Sequence, residues 1–204
     1  MDAKPRVAGI VIAAGRSTRF GGEKAVARFR GEPLLLRAAW RLATAAEVVA
    51  VNARPGSGAE ALARGSGYPI LHDAPGDPDG PLSGVKAGLA WARARGAQLL
   101  AVSPCDLPLL PEDTYRKLVA AAGGGAAMAE TPQGYQPLVA VWPVAALEAL
   151  AAELAGGAHP PTWRVLQSLG AVRVRFESPA CFANVNTREE LARLEATAAA
   201  DHQR

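Results

Sequence analysis

The sequence predicts a three-layer α/β/α fold with a mostly parallel sheet between two layers of helices. Three observations carry that expectation. Short apolar runs alternate with Ala- and Leu-rich stretches of helical length, the pattern of repeated βαβ units. The first run, Val7–Ala14, has no polar side chain, as a strand covered by helices on both faces requires. Finally, Gly15, Asn52, Asp73 and Asp106 fall at or just beyond the carboxyl ends of four such runs, the edge where open α/β sheets bind ligands.

In chain order, the expected strands of the first half are Val7–Ala14, Glu47–Asn52, Pro69–His72 and Gln98–Ser103. Helices are expected over Leu34–Ala46, Ala59–Arg64 and Leu82–Arg95. Gly80, Gly84 and Gly88 recur every four residues, so they share one face at a helix start. Such a face can approach a strand or a ligand closely, and packing alone accounts for Gly88. The second half is less regular. A Gly123-Gly124-Gly125 break follows a helix containing Leu118. Pro137–Trp142 reads as a strand and Val144–Ala155 as a helix; Val172–Phe176 and Phe182–Val185 read as strands. Gly156–Pro161 reads as a mobile loop. Thr187–Ala199 is a closing helix whose start has a capping residue, with Asn186 a candidate, and acidic side chains in its first turn.

The chain's 204 residues suit one α/β domain, expected to span 1–204. Half the residues are hydrophobic, enough for a sizeable core, and the 20% that are charged form no long like-charge block, which argues against disorder. Arg16 to Arg30 carries five basic residues against one acidic, so its local +4 exceeds the chain's net +3 and the remainder is near neutral. This charge gathers at a glycine-rich loop rather than along a helix with interleaved aromatics. That favours a small anionic ligand over nucleic acid. No apolar stretch approaches the roughly 18 residues of a membrane helix, and the start of the chain runs into a strand without a signal-peptide apolar region. Cys105 and Cys181 make no disulfide framework, and His72, His159 and His202 are scattered singly, against a zinc site. A cytoplasmic protein is expected, with neither membrane nor nucleic acid as a partner.

The most informative stretch is Ile10–Lys24, a strand opening into a loop with Gly15, Gly21, Gly22, Arg16, Arg19 and Lys24. Backbone N–H groups in such a loop can approach phosphate oxygens. It lacks the Gly-Lys-Ser/Thr of a Walker loop and the G-x-G-x-x-G of a dinucleotide fingerprint; the pattern is Ala-Ala-Gly-x-x-x-Arg-x-Gly-x-x-Lys. Asp106, between Pro104 and Pro108 at a strand's carboxyl end, suits hard oxygen ligation of Mg²⁺ beside phosphate; the plainer alternative is a turn aspartate bonding its own backbone. Cys105 reads as a small buried hydrophobe rather than a nucleophile. Asp77 and Asp79 read as solvated loop charges.

Together with Gly80-Pro-Leu-Ser-Gly84, Pro104–Pro111, Tyr135–Trp142 and Phe182–Leu191, this loop resembles the molybdenum cofactor guanylyltransferases, in order and spacing, from about residue 6 to about residue 195. The resemblance implies a Rossmann-like nucleotidyltransferase fold, with a nucleotide-binding half over about 6–110 and a second-substrate half over about 111–195. It implies GTP and molybdenum-loaded molybdopterin as substrates, Mg²⁺ as cofactor, and transient contact with molybdopterin-handling proteins or molybdoenzyme chaperones. Carried over position by position, Ile12, Ala13, Ala14, Gly15, Lys24, Asn52, Asp73 and Asp106 face the nucleotide. Asp106 also holds the metal. Arg19, Asn184 and Asn186 face molybdopterin, and Asp106, Lys24 and Arg19 are the catalytic set. Asn184 and Asn186, two apart on an expected strand, share one side of it; strand-end and cap duty is their alternative role. Gln136-Pro137 is implied at the lip of the second pocket, with Trp163 and Arg164 as pterin-side contacts. Arg16 is left without a role.

One departure bears on the base. Ile12-Ala13-Ala14-Gly15 follows the cytidylyl relatives, whereas Pro104-Cys105-Asp106 and Asn184-Val185-Asn186-Thr187 follow the guanylyl pattern. GTP is therefore the expected nucleotide. A cytidylyl or sugar-phosphate nucleotidyltransferase is the near alternative, and a non-catalytic nucleotide-binding chaperone of a molybdoenzyme the distant one.

Overall fold

The computed structural model describes residues 5–15 and 17–200, so Arg16 and His202 lie outside the described residues. In chain order the strands are β1 (Val7–Ile12), β2 (Arg28–Phe29), β3 (Glu32–Pro33), β4 (Val48–Asn52), β5 (Ile70–Leu71), β6 (Leu99–Pro104), β7 (Ala127–Thr131), β8 (Gly134–Pro143) and β9 (Val172–Arg175). β2 and β3 form a separate hairpin, and the other seven form the sheet that is the middle layer. Sheet order is β5-β4-β1-β6-β8-β7-β9, and β8 alone runs against its neighbours. The mostly parallel expectation holds.

Helices α1 (Leu34–Ala43), α2 (Gly58–Gly65) and α4 (Thr114–Ala122) cover one face. Helices α3 (Pro81–Ala94), α5 (Leu147–Leu154) and α6 (Thr162–Ser168) cover the other. Alternate strand residues feed the two cores: Val7, Val11, Val49 and Val51 pack on the first side, and Ala8, Ile10, Leu100 and Val102 on the second. Both faces of β1 are buried, which is why its sequence carries no polar position. The expected close approach of α3 is present. A Cβ at Gly88 would stand 2.8 Å from Ile10 Cδ1, and one at Gly84 would stand 2.4 Å from Asn52 Oδ1.

A third, smaller cluster fastens the first loop to the end of the chain. Phe20 and Phe29 pack with Leu34, Val185 and Leu191, the last on α7 (Arg188–Ala200). The Arg188 guanidinium lies 5.5 Å from the centre of the Phe20 ring.

Three expectations need correction, and one strand, β7, has no counterpart among the expected ones. Phe182–Val185 is not a strand: Pro179–Phe182 is a 3-10 helix and residues 183–186 are irregular. This segment docks beside β6 rather than at a free sheet edge, and Val185 N–H makes one bond, to the Asp106 carbonyl, at 3.0 Å. The cap of α7 is Thr187, not Asn186. Thr187 Oγ1 accepts from Glu190 N–H at 3.1 Å, while the Glu190 carboxylate takes the Asn186 and Thr187 N–H groups, a capping box. Strand β7, with sequence Ala-Met-Ala-Glu-Thr, carries little intrinsic strand preference and forms because β8 and β9 pair with it on both sides. Finally, Asp77 is not solvated; its side chain is 11% exposed and ion-paired with Lys86 of α3.

Among the described residues, no helix is long and apolar enough to cross a membrane.

Candidate active site

A cleft of about 590 Å³ runs along the carboxyl ends of the parallel strands. Its floor is Ile12, Ala13, Ala14 and Gly15, where β1 ends. The β4 and β5 ends add Arg54 and Asp73, β6 adds Pro104, Cys105 and Asp106, and the start of α3 adds Gly80 and Pro81. Leu138 closes the far side through an irregularity in β8. Met128 pairs with Ala140 and Ala129 with Gln136, so Pro137, Leu138 and Val139 have no counterpart on β7. Such a bulge re-aims side chains toward a site.

A carbon at Gly15 would meet nothing within 4 Å, so the end of β1 presents backbone to open space where a bulky ligand can approach. Ser17 lines the same cleft in a left-handed conformation at φ 47°.

Lys24 opens the 3-10 turn Lys24–Val26 and reaches across to β6. Its Nζ donates to Asp106 Oδ2 at 2.7 Å and to Asn186 Oδ1 at 3.3 Å. Residues from three distant parts of the chain therefore meet at one ammonium group. The Lys24 and Asp106 side chains are 14% and 19% exposed, so the pair is shielded yet open to the cleft. Main chain supports it too, through the Val185 N–H bond to the Asp106 carbonyl. Arg37 of α1 holds the following turn by donating to the Pro108 carbonyl at 3.3 and 3.1 Å.

At the other end, Asn52 is buried, and its Nδ2 donates to Asp73 Oδ1 at 2.9 Å. Partial burial, helped by the nearby Asp77 and Asp79 charges, raises the Asp73 pKa above the ordinary carboxylate value; the Asn52 hydrogen bond opposes the rise. Gly84 abuts the Asn52 amide so closely that a methyl there would displace it. Burial, followed by the Asp106 charge, pushes the Cys105 thiol up to about 12, which leaves it a packed thiol.

Lys24, Asp106 and Asn186 thus converge, as do Asn52 and Asp73, along one cleft with the β1 end. Asn52 and Asn186 are not in the cleft lining and join it only through those bonds, and Gln136, Pro137, Trp163 and Arg164 do not line it. Arg19 and Asn184 stand further apart, with no such bond to a lining residue among the described residues. Arg19, on the 3-10 turn Thr18–Phe20, is exposed, does not line the cleft, and makes no hydrogen bond or ion pair among the described residues. Asn184 is exposed and also outside the lining. Sequence reading missed Arg54, Ser17 and Leu138, and Asp79, read as a loop charge, also lines the cleft. Arg54 was detectable, since it lies two positions beyond Asn52 and so projects to the same side of a strand end.

Among the described residues, no group of three or more His, Cys, Asp or Glu side chains forms a metal cage. The donor set nonetheless fits a magnesium-type ion, which takes one or two carboxylates and completes its shell with substrate phosphates and water. Lys24 occupies Asp106 Oδ2, Oδ1 takes no bond among the described residues, and Asn186 adds a neutral hard oxygen.

The comparisons with known proteins agree with this geometry. Residues 9–174 match the model of the MobA-like NTP transferase domain. The chain is 40% identical over 191 residues to a molybdenum cofactor guanylyltransferase of Cereibacter sphaeroides, covering 93% of this chain and 96% of the relative. It is 39% identical over 193 residues to the enzyme of the same name from Rhodobacter capsulatus, covering 93% and 95%. Among solved structures, the fold matches molybdopterin-guanine dinucleotide biosynthesis protein A from Archaeoglobus fulgidus with a TM-score of 0.73 at 19% identity, over 94% of this chain and 98% of that one. It also matches 2-C-methyl-D-erythritol 4-phosphate cytidylyltransferase from Thermus thermophilus with a TM-score of 0.63 at 20% identity, over 93% and 98%. Enzymes of the MobA family generally use a divalent metal. This chain belongs to the MobA-like NTP transferase family, and it is a nucleotidyltransferase.

Proposed function

We propose that this enzyme transfers GMP from GTP to molybdenum-loaded molybdopterin and releases pyrophosphate, forming the guanine dinucleotide of the cofactor. The observation that carries the reading is a single cleft with a carboxylate, Asp73, at one end and a paired Lys24–Asp106 at the other. A carboxylate accepts from N1–H and the 2-amino group of guanine, which are adjacent donors. The names of the relatives support the same base.

In this reading the terminal phosphate oxygen of molybdopterin attacks the α-phosphorus of GTP. The new P–O bond forms as the bond to pyrophosphate breaks, and the leaving group keeps the electron pair. The attacking oxygen is already anionic, so no strong base is needed. The chain contributes alignment and charge neutralisation. Backbone at Ala13–Gly15 and the Lys24 ammonium receive the phosphates. Asp106, with Asn186 beside it, would hold Mg²⁺, which supplies charge neutralisation on the phosphate oxygens. The nucleotide occupies the half over about 6–110, and molybdopterin the half over about 111–195, with Arg19, Asn184 and Asn186 toward it. Cytoplasmic residence fits the two free thiols, Cys105 and Cys181.

Competition kinetics with GTP, CTP, Mg²⁺ and loaded molybdopterin test the proposal. The expected result is a GTP preference of at least about tenfold in kcat/KM, equivalent to about 1.4 kcal/mol. A CTP preference would make this a cytidylyl enzyme. Nucleotide binding without transfer would favour the chaperone reading.

A further inference from the structure

We propose that Arg54 is a base-reading residue: its guanidinium takes O6 and N7 of guanine, beside the Asp73 carboxylate on N1–H and the 2-amino group. The inference rests on GTP being the nucleotide and adds a second determinant to the same site.

Strand register carries the argument. Asn52 pairs with Leu71 across the parallel β4–β5 ladder. The ladder continues past the strand ends, with Ala53 N–H donating to the Leu71 carbonyl at 3.1 Å and the His72 ring nitrogen 2.8 Å from the Ala53 carbonyl. Continuing that register sets Arg54 opposite Asp73, on neighbouring segments about 4.8 Å apart. Asn52 and Arg54 project to the same side because they are two positions apart. The Asn52–Asp73 hydrogen bond identifies that side as the one Asp73 occupies, and both Arg54 and Asp73 line the cleft.

Arg54 is also launched from a fixed point. Its carbonyl accepts from Ser57 N–H at 3.2 Å and Ser57 Oγ at 2.7 Å, closing a turn through Pro55 and Gly56, the latter at φ 73°. The side chain is exposed and makes no hydrogen bond or ion pair among the described residues, so the guanidinium is available to a ligand. By contrast, Lys24 is already committed to Asp106 and Asn186.

The chemistry is complementary. Guanine presents O6 and N7 as adjacent acceptors, which a planar guanidinium fork meets bidentately, and its neighbouring edge presents two donors to a carboxylate. Cytosine lacks the O6/N7 pair, and adenine has a donor in place of O6. β1 lies between β4 and the Asp106 strand β6, so Arg54 is about 10 Å by strand spacing from the Lys24–Asp106 pair, and the Arg54→Lys variant separates a base contact from a phosphate contact.

Equilibrium binding of GTP, 7-deaza-GTP and CTP to the full chain, in wild type, Arg54→Ala and Arg54→Lys, tests this, with thermal unfolding as the folding control. The wild type is expected to bind 7-deaza-GTP about tenfold more weakly than GTP, since one charge-assisted bond is lost. Arg54→Ala is expected to bind GTP at least about tenfold more weakly, to cease distinguishing the two purines, and to leave CTP unchanged. Arg54→Lys is expected not to restore GTP, because a point charge lacks the fork. Equal weakening of all three nucleotides with rescue by lysine would show a phosphate contact and overturn the proposal. Unchanged GTP binding in Arg54→Ala would overturn it as well. A wild type that prefers CTP would instead sink the guanylyl reading; a GTP preference undiminished in Arg54→Ala would sink only the role given to Arg54.

Discussion

The two ends of the cleft are built on different plans. At the β6 end, Lys24, Asp106 and Asn186 come from segments about 80 residues apart and balance charge among themselves. At the β5 end, Asn52, Arg54 and Asp73 come from two neighbouring strand ends, and no Lys or Arg bonds the Asp73 carboxylate among the described residues. The first end holds its carboxylate with an ammonium group. The second leaves a partly desolvated carboxylate short of partners, which is how a site discriminates: a ligand lacking the matching donors leaves it poorly paired. In the proposed reading, charge neutralisation thus depends on non-local packing, and base recognition on strand register.

The largest expected effect breaks the β6 end. Asp106→Asn still accepts a bond from Lys24 but loses its charge, and should lower metal-dependent turnover on the order of 10²-fold or more, with circular dichroism unchanged. Near-normal turnover would remove Asp106 from the mechanism.

A smaller effect sharpens the comparison at that end. The resemblance assigns Lys24 to the nucleotide and Asn186 to the other substrate, as independent contributors. The 3.3 Å contact between them argues for coupling. Lys24→Ala should weaken nucleotide binding about tenfold and Asn186→Ala less. The double variant should fall short of the sum by about 0.5–1 kcal/mol in a titration-based cycle. Strict additivity would restore two separate subsites.

The smallest effect concerns stability at the β5 end. The folded-state pKa of Asp73 is raised, chiefly by desolvation. A raised carboxylate pKa means the native state binds the proton more tightly than the unfolded chain does. Stability therefore falls as pH rises from the unfolded carboxylate pKa, about 3.9, through the raised folded value. Asp73→Asn removes that penalty and should raise Tm slightly at pH 7. The gain should vanish as pH falls below about 3.9, even as GTP discrimination weakens. Equal or lower Tm across the range would show that the ionised carboxylate is well accommodated.

Much of this was legible in the sequence where a residue's role is local. β1 was readable because burial on both faces demands an apolar run, and the glycines of α3 because a four-residue spacing keeps one helix face bare. Asp106 was readable from its two flanking prolines at a strand end. Strand β7 was not, because its Ala-Met-Ala-Glu-Thr sequence has little strand preference of its own and is held by pairing to β8 and β9, and β8 itself carries a bulge that no alternation pattern reveals. Asp77 reads from sequence as a solvated charge because its partner, Lys86, is on the next helix and nothing local marks the pair.

By itself the sequence determined the layer architecture, the binding edge, and the residue types that a phosphate and a hard metal require. These follow from periodicity, turn chemistry and side-chain functional groups, which act over a few residues. Only the tertiary structure decided that Asn186 joins Lys24 and Asp106, that Arg19 and Asn184 stand outside the cleft lining, and that Arg54 lines the cleft together with Asp73. Those outcomes depend on which strands become neighbours and on the third apolar cluster, where Phe20 and Phe29 of the first loop region meet Val185 and Leu191 near the end of the chain. Burying that apolar surface draws the two ends of the sequence together, and the polar groups at the cleft follow the packing.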